Sequence, residues 1–129
     1  EAKAMLDATA TLENDLTEIE RIIKENPLTH EIRPSLRGRI DALAGNNRAN
    51  IAIMQKLKQL TKDEAERVEP MAGYDANSFM KFDAQVKAQL NETRRIARAA
   101  RDRTIKRLSE NVELSEPVRP SPPPTRKGP

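Results

Sequence analysis

The stretch "ALAGNNRANIAIM", residues 42–54, decides the fold. Gly45 and the asparagines after it are helix stop signals, so it reads either as a turn or as the interior of one long helix. The apolar spacing chooses between them. Leu36, Ile40, Leu43, Asn47, Ile51, Met54 and Leu57 recur every three or four residues and stay in phase across Gly45. A turn is expected to reset that phase. The spacing therefore predicts one helix over about 34–60, opened by Pro34 in its first turn, where a missing N–H costs nothing. Asn47 lies within the stripe, with Asn50 one turn away. A polar residue at a helix seam can fix register and oligomer state; the plainer reading is that "GNNRAN" is an exposed patch or turn.

Upstream, Met5, Ala8, Leu12, Leu16, Ile19 and Ile23 follow a 3-4-4-3-4 spacing. That is an eleven-residue period, which matches about 3.67 residues per turn and keeps the stripe nearly straight. It predicts a helix over about 1–25, stopped before Pro27. The short connection "NPLTHEIRP" makes the two helices an antiparallel hairpin. Downstream, Thr61 and Glu64 have the spacing of a capping box and predict a short helix ending near Val68. "EPMAGYDAN" reads as a loop, with Asp75 or Asn77 capping a third long helix over about 77–110.

In that third helix Phe79, Phe82, Val86, Leu90, Thr93, Ala97, Arg101, Thr104 and Leu108 again follow the eleven-residue spacing. The occupants decline from Phe and Leu to Thr, Ala and Arg, so the second half is expected to project from the body. From Ser109 the pattern dissolves. "SEPVRPSPPPTRKGP" holds six of the nine prolines and is expected to be polyproline-like or disordered. Its P-x-x-P steps lack the flanking arrangement of a dedicated SH3-type ligand. The division is then a helical oligomerisation domain over 1–110 and a Pro-rich tail over 111–129.

Composition agrees with an all-α chain. Of 129 residues 36% are hydrophobic, only 2% are aromatic and 33% are charged, which suits long helices burying narrow Leu, Ile and Ala stripes. Such a chain is expected to complete its core as a homo-oligomer, through Leu12, Leu16, Ile19 and Ile23 of the first helix and Leu36, Ile40, Leu43, Asn47, Ile51 and Met54 of the second. The absence of cysteine excludes disulfides and thiolate metal sites. The longest apolar run, Ile51 to Met54, is far too short to span a membrane, and no signal peptide is visible, so a cytoplasmic setting is expected (the host cytoplasm for a viral protein). Starting at Glu1 rather than Met is expected of a processed protein or a piece of a longer one.

No catalytic grouping stands out. His30 is the only histidine, in a Pro-flanked loop beside Glu31, and it reads as a surface residue. One His without Cys gives a metal little to bind, and no Gly-rich phosphate loop exists among four glycines. No enzyme, metal or cofactor is implied. The functional candidate is "RRIARAARDRTIKRL", residues 94–108, where Arg94, Arg95, Arg98, Arg101, Arg103, Lys106 and Arg107 face a single acid, Asp102. On a helix, charge recurs each turn, about every 5 Å, a spacing suited to tracking phosphates. With no interleaved aromatic, base reading is unsupported. The competing reading pairs these bases with acids such as Glu13, Glu18 or Glu20 on neighbours.

"TLENDLTEIERII" (Thr11–Ile23) and "RPSLRGRIDALAGNNRANIAIMQKLKQL" (Arg33–Leu60) together resemble the central hairpin of tailed-phage terminase small subunits. The resemblance covers a little under half of the chain and rests on the order and length of segments; the family's N-terminal helix-turn-helix has no counterpart from Glu1 onward, where a removed one could precede. It implies a ring-forming, non-enzymatic protein that recognises viral DNA and regulates a large motor subunit. The alternative is a structural or scaffolding subunit of a viral or other multisubunit assembly.

Overall fold

The computed structural model describes residues 1–26 and 33–115. The connection holding His30 and the Pro-rich tail after Ser115 lie outside them. Among the described residues the chain is all-α: α1 (Ala2–Glu25), α2 (Pro34–Lys56), α3 (Lys62–Ala72), α4 (Ala76–Lys81) and α5 (Ala84–Ser115). One core joins them, with α1 packed against both α2 and α5, and α3 against α5 and α2.

α1 forms where its apolar period predicts. Met5, Ala8, Leu12, Leu16, Ile19 and Ile23 are all buried. Thr9, also buried, satisfies its hydroxyl by donating to the Met5 carbonyl at 2.8 Å. Asn26 closes the last turn, its side-chain amide donating to the Ile22 carbonyl at 2.8 Å.

α2 runs unbroken through Gly45, as the phase of its stripe requires. It ends earlier than expected, at Lys56, because Lys58 takes a left-handed conformation (φ 56°) that no helix continues. Asn47 is fully buried in this helix, so the exposed-turn reading is set aside.

The Thr61–Glu64 capping box opens α3: Thr61 Oγ1 accepts from the Glu64 N–H at 3.1 Å, and Glu64 Oε1 accepts from the Thr61 N–H at 3.0 Å. The helix does not stop near Val68. It carries on through Pro70 to Ala72, because Val68 and Met71, three residues apart, both bury their side chains in the core. The expected loop over 69–77 is thus reduced to a short link. Asp75 then caps the six-residue α4, its carboxylate accepting from the Ser78 N–H at 3.0 Å.

The third long helix is in fact two. Phe82 adopts a left-handed conformation (φ 39°) that ends α4, and Asp83 restarts the chain by accepting from the Val86 N–H at 2.9 Å. α5 extends to Ser115, past the expected end near 110. Nor does its second half project from Arg94 onward. Ile96, Ala97, Ala100 and Thr104 are buried against the body, and only beyond Thr104 do the apolar residues Ile105 and Leu108 face solvent, at 48% and 38% exposure. Small residues explain the difference: Ala97 and Ala100 bury little area themselves but let another helix approach closely.

The stripes expected to face another subunit are covered within the chain, that of α1 by α2 and α5 and that of α2 by α1, α3 and α4. Leu12, Leu16, Ile19, Ile23, Ile40, Leu43, Asn47, Ile51 and Met54 are buried within a single chain, and Leu36 packs partly buried against the same core.

Candidate nucleic-acid interface

The basic stretch lies along the seam where α5 packs on α1. The two helices run in opposite directions, because Glu13 meets Arg98 and Arg101 while Glu20, further along α1, meets Arg94. Arg101 Nη2 reaches Glu13 Oε1 at 2.6 Å, and Arg98 Nε donates to Glu13 Oε2 at 3.0 Å. Arg94 is held by three groups: Glu20 at 2.8 Å, the Thr17 hydroxyl at 3.1 Å and the Asn91 amide oxygen at 2.6 Å. Arg95 pairs with Glu92 one turn back, at 2.5 Å. Arg103 forms a two-pronged pair with Glu64, at 2.7 and 2.8 Å, and also donates to the Gln59 carbonyl at 3.2 Å. Glu64 therefore caps α3 and ties it to α5 at once.

Lys106 and Arg107 differ. They are exposed and have no ion-pair or hydrogen-bond partner among the described residues. The seven sequence-predicted bases thus share one helix, but the fold divides them. Arg94, Arg95, Arg98, Arg101 and Arg103 are engaged by carboxylates, and the last two have no partner among the described residues.

The carboxylates answer to this arrangement. Burial alone would raise the Glu13 carboxyl, but hydrogen bonds from Arg98 and Arg101 outweigh it and hold the group below its ordinary range. Glu20 is likewise pushed up by burial and pulled further down by Lys24 and Arg94. Glu64 is held low chiefly by Arg103, and Glu92 chiefly by Arg95. All of these carboxylates are ionised at neutral pH.

Neutralisation is nevertheless incomplete, because the acids are shared. Glu13 serves Arg98 and Arg101, Glu20 serves Arg94 and Lys24, and Glu92 serves Arg95 and Arg67. Asp63 gives Arg67 a second partner at 2.8 Å. Within these shared pairs four carboxylates serve six cations, while Arg103 has Glu64 to itself and Asp102 adds a further acid acting on Arg98.

A cleft of about 320 Å³ opens on the seam, lined by Thr17, Asn91, Arg94, Arg95 and Arg98. No carboxylate lines it. Arg94 is 19% exposed and fixed by its partners, whereas Arg95 and Arg98 are 63% and 66% exposed and reach toward solvent. Sequence reasoning missed Thr17 and Asn91. Asn91 stands three residues before Arg94, a helical neighbour readable from spacing. Thr17 is separated from Arg94 by most of the chain and needs the tertiary register to be found.

Among the described residues no group of three or more His, Cys, Asp or Glu is arranged to hold a metal, and no helix is long and apolar enough to cross a membrane. No protein-family model, curated protein or solved structure matches this chain.

Proposed function

We propose that this chain is a non-catalytic, nucleic-acid-binding helical component, of the kind a viral DNA-packaging assembly uses for recognition and regulation. The observation that carries the reading is the cation surplus of α5: shared carboxylates along the α1 seam, a cleft lined by arginines with their paired acids outside the lining, and Lys106 and Arg107 beyond it, without a partner among the described residues. A row of guanidinium and ammonium groups without full counter-charge is suited to the phosphate backbone and indifferent to base sequence. The resemblance of residues 11–60 to the hairpin of terminase small subunits gives this reading its packaging context, with α1 and α2 as the antiparallel pair. A homo-oligomer or a large motor subunit would then meet surfaces other than the Leu16 and Ile40 stripes, such as exposed Ile53, Ile105 and Leu108.

The second reading is a structural or scaffolding subunit. It is favoured by Arg94, Arg101 and Arg103, whose ion pairs bind α5 to α1 and α3 within the chain. Titrating the protein with two labelled duplexes of unrelated sequence, at low and physiological salt, separates the two. The nucleic-acid reading expects similar affinity for both duplexes and a steep loss with salt. No binding to either duplex at low salt overturns it in favour of the scaffold.

A further inference from the structure

We infer that the cleft between α1 and α5, walled by Arg94, Arg95 and Arg98 with Thr17 and Asn91, is a phosphate-binding site, and that Glu13 competes with the phosphate for Arg98. The inference rests on the nucleic-acid reading only for the owner of the phosphate, a backbone rather than a free ion.

The lining offers three guanidinium groups and two neutral polar groups, and the carboxylates paired with those arginines, Glu20, Glu92 and Glu13, stand outside the lining itself. Arginine forks match the oxygens of an oxyanion in pairs, which suits phosphate and disfavours an apolar ligand. No aromatic ring lines the cleft, so nothing there stacks a base. Arg94 arrives already oriented, because Thr17, Glu20 and Asn91 fix its guanidinium before any ligand comes. Arg95 and Arg98 are the movable pair. Both are mostly exposed, so turning their heads toward a ligand disturbs no packing.

The Glu13 carboxylate supplies the competition. One oxygen takes Arg98 and the other takes Arg101. Arg98 can therefore leave for a phosphate while Glu13 keeps Arg101, its more buried partner, and the seam stays closed. Arg95 has the same latitude, since Glu92 retains Arg67 at 3.2 Å when Arg95 turns away. Each shared acid thus gives up its movable arginine when the site fills and keeps one cationic partner, Arg101 for Glu13 and Arg67 for Glu92.

The test compares four variants of the full chain, each checked to be fully helical at the temperature of the binding assay, against one labelled duplex: Arg95→Gln with Arg98→Gln, Glu13→Gln, Lys106→Gln with Arg107→Gln, and a control that removes equal charge elsewhere, Lys56→Gln with Lys81→Gln. Inorganic phosphate is titrated separately while the arginine Nε–H signals are followed by NMR. The site predicts that the Arg95/Arg98 variant loses roughly tenfold in affinity per phosphate contact at 0.1 M salt, and that the control stays near wild type. Glu13→Gln binds more tightly, and phosphate shifts the Arg95 and Arg98 signals first. Loss in the Lys106/Arg107 variant with none in the Arg95/Arg98 variant keeps the nucleic-acid reading and overturns the cleft. Equal loss in the control overturns it too, as mere bulk charge. If wild type binds no duplex but phosphate still shifts Arg95 and Arg98, the nucleic-acid reading falls and the phosphate site stands. With neither duplex nor phosphate responding, both fall. Unchanged or weaker binding by Glu13→Gln removes the competition.

Discussion

Arg101 and Glu13 meet at 2.6 Å across the seam of α1 and α5, 88 positions apart in the chain and both largely withdrawn from solvent. The pair makes α5 a structural element first. Its acid also sets a pH dependence. Glu13, Glu20 and Glu64 all have carboxyls held below their ordinary range, Glu13 and Glu20 against the upward push of burial and Glu64 chiefly by Arg103. A depressed folded-state value means that the stabilisation is fully present above the unfolded-state value, near 4.3, and is lost as pH falls through the folded-state values. Urea midpoints are therefore expected to hold steady near neutrality and to fall increasingly below about pH 4.3. Glu13→Gln flattens that fall. A Glu13→Gln profile parallel to wild type would show that the pair contributes nothing to the acid limb.

Asp15 carries the opposite sign. Burial raises its carboxyl above the ordinary range despite hydrogen bonding from Asn46, and its Oδ2 is buried with no hydrogen-bond partner among the described residues. Ionising it in the folded chain costs stability above its unfolded-state value. Asp15→Asn is expected to raise the thermal midpoint at neutral pH and to have little effect near pH 3. A lower midpoint at neutral pH would show that the charge is needed where it lies.

Asn47 is a sharper case, since neither its Oδ1 nor its Nδ2 has a partner among the described residues and the residue is completely buried. Leaving such groups unpaired costs about 1–3 kcal/mol. Asn47→Leu should recover an amount of that order in urea unfolding. Because Asn47 faces the core of its own chain, native mass should stay the same. A broadened mass distribution would instead assign Asn47 to a subunit seam.

Much of this architecture was legible in the sequence, and the boundary of legibility has physical causes. Periodicity marked α1, carried α2 across Gly45 and named nearly the whole core of both. The Thr61–Glu64 box marked the start of α3 because capping is local chemistry between neighbours. Pattern could not say what covers a stripe. For α1 the cover is α2 and α5, whose Ala97 and Ala100 look weak as core residues yet are buried, and for α2 it is α1, α3 and α4. The breaks at Lys58 and Phe82 were also hidden, since neither residue type advertises a left-handed conformation. The candidate site was half legible. Its arginines stood out, while the sharing of Glu13, Glu20 and Glu92 depends on which helices meet.

The glycines of α2 give a test of the continuous helix itself. A Cβ at Gly38 meets nothing within 4 Å, and at Gly45 it meets only the Arg48 side chain at 3.8 Å. Neither glycine is required by space or by backbone conformation. Gly38→Ala and Gly45→Ala should each stabilise by about 0.5–1 kcal/mol, read as a raised thermal midpoint. Destabilisation at Gly45 would mean that the chain turns there.

The most direct measurement of the central claim is the dependence of duplex affinity on salt for the unmodified protein. A helix whose cations outnumber their acids should bind duplex of any sequence, with log affinity falling linearly in log salt. Engagement of two or three phosphates gives a slope of about −2 to −3. A slope near zero, or no binding at the lowest salt, would mean that the basic stretch of α5 is fully used in holding the fold together.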